Sequence, residues 1–86
     1  MPRALSIHRA TVPMTERARY FERLRARRNH YQSAHCRFWV FEETALGGAF
    51  VEFVEADDAT TLAAAHATAP DSVLDPVRIF QQVEID

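Results

Sequence analysis

The chain has 86 residues, of which 48% are hydrophobic and 26% charged, and its formal net charge is -2. That size sets a single domain over residues 1–86, one that buries only about 60 to 65% of its unfolded surface and gains from a second copy. The apolar fraction excludes disorder, no apolar run is long enough to cross a bilayer, and the slight negative charge argues against a nucleic-acid partner. The start, Met-Pro-Arg-Ala-Leu-Ser-Ile-His, lacks the features of a secretion signal, and the lone Cys36 cannot form an internal disulfide. The expected location is cytoplasmic. All ten positive residues are arginine, which together with the many alanines reads as a base-composition bias of the source genome.

Ala4 to Val12 alternates with period two, Leu5 and Ile7 on one face and Ser6, His8 and Ala10 on the other, so it reads as a strand. Pro13 ends it, and Thr15 stands where a helix N-cap belongs, with Glu16 in the first turn. The spacing of Ala18, Phe21, Leu24 and Tyr31, with Tyr20 beside them, predicts an amphipathic helix to about Gln32, with Arg28 the one charge near its apolar stripe. His35 to Glu43 holds Phe38-Trp39-Val40-Phe41 and reads as a strand, with Cys36 a buried strand residue. Gly47-Gly48 supply the positive backbone angles of a reversal, and Ala49 to Glu55 completes a hairpin. Asp57 or Asp58 then caps a helix from Ala59 to about Ala69, closed by Pro70. A connection over Asp71 to Pro76 leads to a last strand, Val77 to Ile85.

This order is the ferredoxin-like βαββαβ arrangement of the α+β class, a four-stranded antiparallel sheet with two helices on one face. A sheet with one wet face should alternate apolar and polar residues, yet both parities of the central hairpin are apolar: Phe38 and Val40 against Trp39 and Phe41, and Val51 and Phe53 against Phe50 and Val54. Two helices cover one face. The other would leave an aromatic patch that monomers rarely show, so the pattern predicts a homodimer whose open sheets meet as a dimeric α/β barrel. An accessory subunit whose open sheet meets a different protein is the other arrangement compatible with it.

The stretch Phe50-Val51-Glu52-Phe53-Val54-Glu55-Ala56-Asp57-Asp58, followed by Leu62-Ala63-Ala64-Ala65-His66-Ala67-Thr68-Ala69-Pro70, resembles the dimeric α/β-barrel superfamily, and within it the antibiotic-biosynthesis-monooxygenase-type domains. His66 matches that family's helical histidine. The second histidine often found a few residues later has no counterpart, Asp71 standing near its place. The resemblance implies a homodimer with a small-molecule cavity at the sheet, and members that oxidise aromatic polyketide-like or quinol substrates with oxygen and without metal or flavin.

Three titratable residues are candidates for catalysis. His8, opposite in parity to Leu5 and Ile7, faces the barrel interior if those two face the helices, where it can take a proton from a phenolic substrate or sit solvated at a rim. Glu52 lies between Val51 and Phe53 and, on the same face as His8, can set its tautomer or act as base; an arginine-paired glutamate is the alternative. His66 is the third, with plain packing on an alanine-rich helix as its alternative. Trp39, Phe41 and Phe80 are candidate walls for a flat aromatic ligand, or dimer-core packing; Arg78, Gln82 and Glu84 share the parity of Phe80. His30, His35 and Cys36 lack the paired spacing of a zinc site, so no metal is expected, and the resemblance implies that no cofactor is needed. Arg23 to Arg28 reads as a solvated helix face, and any site is expected inside the sheet-lined cavity instead. The expected function is binding of a small, aromatic metabolite, with cofactor-independent oxygenation or a related tailoring reaction upon it. A non-catalytic ligand-binding or protein-interaction domain is the alternative.

Overall fold

In a computed structural model, which describes residues 2–70 and 78–85, the elements follow the expected order. They are β1 (Ala4–Thr11), a 3-10 turn (Met14–Glu16), α1 (Arg17–Ser33), β2 (Arg37–Glu42), β3 (Ala49–Ala56), α2 (Ala59–Ala67) and β4 (Phe80–Gln81). The strands form one sheet in the order β2-β3-β1-β4, with every pairing antiparallel. Both helices pack on one face, which is the ferredoxin-like α+β fold.

Register assigns each side chain to a face. Ala4 pairs with Ala56 and Ser6 with Val54, while Val54 faces Phe38 across β2. These residues lie under the helices: Ala4, Ala56, Val54, Leu62, Ala65, Tyr31 and Cys36 form one buried cluster, and Tyr20, Leu24 and Phe50 a second. Leu5 and Ile7 therefore point away from the helices, the reverse of the orientation that would place His8 on the open side. The physical reason is steric. Alanine-rich α2 lies close over the end of β1, and the small Ala4 and Ser6 fit that gap better than Leu5 and Ile7.

Four boundaries differ from expectation. Thr15 lies inside the 3-10 turn instead of capping α1, whose N-cap Glu16 makes no side-chain capping bond. The buried stripe of α1 is Tyr20, Leu24 and Tyr31, with Ala18 exposed and Arg27 as the charge drawn inward. Cys36 is buried but precedes β2. Strand β4 is two residues long among the described residues, since β1 begins at Ala4 and the chain leaves the sheet where Gln82 N–H donates to Arg3 O at 2.8 Å. The expected connection over Asp71 to Pro76 lies outside the described residues, as does Val77.

Local chemistry ends each element. Asp58 caps α2, its side chain accepting from Thr61 N–H at 2.7 Å, and that bond holds its carboxyl below the usual range. At the end of α1, Cys36 N–H donates to Tyr31 O at 2.8 Å and His35 N–H to Gln32 O at 3.3 Å. This double closure needs a left-handed residue between, and His35 supplies it at φ 65°. In the β2–β3 turn Gly48 has φ 89°, donates to Glu42 Oε2 at 2.9 Å and accepts from Val12 N–H at 2.8 Å. Glu42 also takes a two-pronged bond from Arg17, at 2.8 and 3.0 Å, and these donors hold its carboxyl down at about 2. One carboxylate thus ties the start of α1 to the turn.

Two substitutions at these left-handed positions should act in opposite directions. A Cβ on Gly48 would stand 2.6 Å from Val12 O, so Gly48→Ala should lower unfolding free energy by about 2 to 4 kcal/mol, read as a lower urea midpoint. His35→Gly relieves the backbone and should raise the midpoint, by about 1 kcal/mol.

Candidate functional site

The sheet buries Glu52 and Ser6 on its covered face and exposes Trp39, Phe41 and Phe80 on the open one. Under the helices the cross-strand row His8, Glu52, Val40 is followed by Ser6, Val54, Phe38. On the open face the corresponding rows are Arg9, Val51, Phe41 and Ile7, Phe53, Trp39, with Phe80 beside Leu5. The six candidates are therefore divided by the sheet: His8, Glu52 and His66 belong to the helix side, and Trp39, Phe41 and Phe80 to the other.

Glu52 is 3% exposed and fully engaged. Arg27 Nε donates to its Oε1 at 3.0 Å, and Arg27 Nη2 and Tyr20 Oη donate to its Oε2 at 3.0 and 2.8 Å. Burial, then the bond to this carboxylate, pushes the Tyr20 phenol far above its ordinary value. A buried carboxylate held this way is an anchor for α1. Removing one partner of such a pair strands the other charge, at a cost of about 3 to 5 kcal/mol. His8 shares the cross-strand row of Glu52 but is exposed, and the carboxylate is bonded to Arg27 and Tyr20 instead.

His66 stands at the centre of a second polar chain that sequence spacing did not reveal. Its Nε2 lies 2.8 Å from Ser6 Oγ and its Nδ1 2.8 Å from Tyr31 Oη. A neutral imidazole donates through one nitrogen and accepts at the other, so the two hydroxyls take opposite roles. A serine bonded to a histidine is a nucleophile–base geometry, but Ser6 is 3% exposed and the third member is a phenol, not a carboxylate. The chain ties α2 to β1 and α1. Beside it His30 Nε2–H donates to Ala65 O at 2.8 Å, which fixes its tautomer. Burial, reinforced by nearby His30, holds the His66 imidazole below its ordinary value. Burial likewise pushes the Cys36 thiol up. No group of three His, Cys, Asp or Glu side chains suited to a metal occurs among the described residues.

The open face is different in kind. Trp39 is 43% exposed, Phe41 56%, Phe80 50% and Ile7 40%, with Phe41 edge-on to Phe53 at 5.6 Å. At one end a depression of about 430 Å³ opens over Arg9, Thr11, Phe41, Glu43 and Val51; none of His8, Glu52 and His66 contributes to it. At the other end Glu55 is bridged by Arg37 at 2.7 Å and Arg3 at 3.2 Å. Phe50, of opposite parity to Val51 and Phe53 on β3, lies in the core beneath α1.

This architecture has solved counterparts. A protein of Nitrosomonas europaea described as "Putative antibiotic biosynthesis monooxygenase" superposes with a TM-score of 0.72 over 96% of this chain and 90% of its own, at 17% identity. The chain has the fold of the antibiotic-biosynthesis-monooxygenase-type domains. The Rv0793 protein of Mycobacterium tuberculosis superposes with a TM-score of 0.61 over 100% of this chain and 97% of its own, at 18% identity. At such identities the likeness is one of fold. No protein-family model matches the chain, and no curated protein matches it significantly. No helix among the described residues is long and apolar enough to cross a membrane.

The half-buried His66 gives the fold a pH dependence whose sign follows from linkage. Its pKa is lowered on folding, so as pH falls past the ordinary value of 6.5 the unfolded chain takes up a proton that the folded chain refuses. Stability from this group is complete above pH 6.5 and is lost as pH falls toward the folded value. Urea midpoints should therefore drop between about pH 7.5 and pH 5.5, and His66→Gln should flatten that slope. An unchanged slope in the variant would assign the dependence elsewhere.

Proposed function

We propose that the chain is a small-molecule-binding homodimer, its two open sheet faces meeting as a barrel with a flat aromatic ligand held between them. The observation that carries this reading is the exposure of Trp39, Phe41, Phe80 and Ile7 on one face of a sheet whose other face is already covered. Exposed aromatic area of that kind gains by association, and a two-fold axis lets one surface serve as its own complement. The 430 Å³ depression supplies a place for a ligand, with Phe41 as floor and the Arg9 guanidinium and Thr11 hydroxyl at its side as groups that can orient an oxygen atom.

The reaction proposed there is oxygenation of a phenolic or anthrone-like ring by dioxygen, by analogy with the monooxygenase designation of the Nitrosomonas protein. A ring CH2 becomes C=O, one oxygen atom of O2 enters the carbonyl and the other leaves as water, so four electrons pass from substrate to O2. Deprotonation of such a substrate starts the step. The bonding of Glu52 to Arg27 and Tyr20 and of His66 to Ser6 and Tyr31 argues against either as the base, and leaves proton loss to the substrate's own acidity beside Arg9. A protein that binds the same ligands without turnover is the simpler reading of the same face.

Sedimentation and oxygen uptake separate these statements. The wild type should sediment as a dimer at micromolar concentration, and Phe41→Glu should weaken association about tenfold or more with an unchanged circular dichroism spectrum. A monomeric wild type would refute the barrel. Emission of Trp39, the one tryptophan, should shift to the blue on association and be quenched by quinones. Absence of oxygen uptake over a panel of quinols and anthrones, with quenching retained, would leave binding and remove oxygenation.

A further inference from the structure

A second hollow lies on the opposite side of the sheet from the open face. A cleft of about 290 Å³ runs between α1 and the edge strand β2, lined by Phe21, Leu24, Arg25, Arg28, Phe38 and Val40. Its floor is apolar. Phe38 is held by stacking on Tyr31 at 5.7 Å, and Phe21 by an edge contact to Phe50 at 5.8 Å with the Arg17 guanidinium 4.9 Å above it. Both walls are thus fixed before anything enters.

The arginines of α1 fall into two groups, Arg23, outside the cleft, being unpaired among the described residues as are the two that line it. Arg17, Arg19 and Arg27 each hold a carboxylate, of Glu42, Glu16 and Glu52. Among the described residues neither Arg25 nor Arg28 makes an ion pair or side-chain hydrogen bond. Arginine stems can lie over apolar surface and shield it. Here the hollow persists with both side chains in place, so the stems edge it without filling it.

From this pairing of an apolar floor with two unneutralised guanidiniums, the geometry points to a site for a small aromatic carboxylate, the ring between Phe21 and Phe38 and the anion across Arg25 and Arg28. A neutral aromatic would leave both cations without a partner, and a bare phosphate would leave the floor unused. The volume sits at the lower end of small-molecule sites, about 300 to 1,000 Å³, which suits one or two rings and not a long acyl chain. The arginine fork matches a carboxylate in two-pronged fashion. This site does not depend on the dimer or on the ligand of the open face.

The test is a 15N-edited NMR titration of the full chain with 2-naphthoate and with its neutral counterpart 2-naphthalenemethanol. Naphthoate should give saturable shifts at the amides of Phe21 to Arg28 and at Phe38 and Val40, while the Trp39 indole N–H, on the other face, stays in place. The alcohol should bind about tenfold more weakly or worse, and an Arg25→Gln, Arg28→Gln double variant should lose the preference for the anion. Both arginines are exposed, and an unchanged spectrum elsewhere verifies the fold of the variant. Equal affinity for acid and alcohol, shifts centred on the open face, retention of the preference in the variant, or no saturation would each overturn the assignment.

Discussion

The burial of Glu52 beneath α1 is the constraint around which the rest is arranged. A carboxylate in the middle of a sheet's covered face is tolerable only with partners, and Arg27 and Tyr20 supply three donors from one face of one helix. To deliver them α1 must present Tyr20, Leu24, Arg27 and Tyr31 downward. That rotation leaves Phe21, Arg25 and Arg28 on the flank facing β2. The same demand fixes β3, since a slip by one residue would carry Glu52 to the open side and Phe53 to the core.

The outcome is a covered face of mixed polarity. Beneath the helices the apolar Ala4, Phe38, Phe50 and Val54 are joined by Glu42, Glu52 and Ser6, each with its own partner, while the bare face exposes Trp39, Phe41 and Phe80. The buried polar groups make the helix–sheet contact specific: α1 is matched to Glu52 and Glu42, and α2, through His66, to Ser6. Groups committed to structure in this way are poor candidates for proton transfer to a substrate. The open face instead keeps its titratable side chains, Arg9, Glu43 and the Arg3–Glu55–Arg37 bridge, toward its ends.

The element order was legible because it rests on local signals: period two in the strands, Pro13 and Pro70 as stops, Asp58 as a cap and Gly48 at the reversal. The apolar character of both hairpin faces was legible for the same reason. What local pattern could not give was the direction in which each strand faces. Leu5 and Ile7 are the larger side chains of β1, but the positions packed with α2 are those of Ala4 and Ser6. The Ser6–His66–Tyr31 chain joins residues far apart in sequence and of no distinctive spacing. Alternation beyond Gln81 suggested a long last strand, yet among the described residues the ladder to β1 covers Phe80 and Gln81 alone.

The register of Ala4 with Ala56 also sets an order of assembly. The hairpin of β2 and β3 closes over a short turn, whereas pairing β1 with β3 must close the 37 residues between Thr11 and Ala49, an entropic cost best met once the hairpin and α1 offer a surface to dock on. Until β1 arrives, β3 is an unpaired edge beside the open-face rings of Trp39, Phe41 and Phe53. The slow step of folding and the interval of greatest aggregation hazard therefore coincide, and a nascent chain passes through both before its last strand can join.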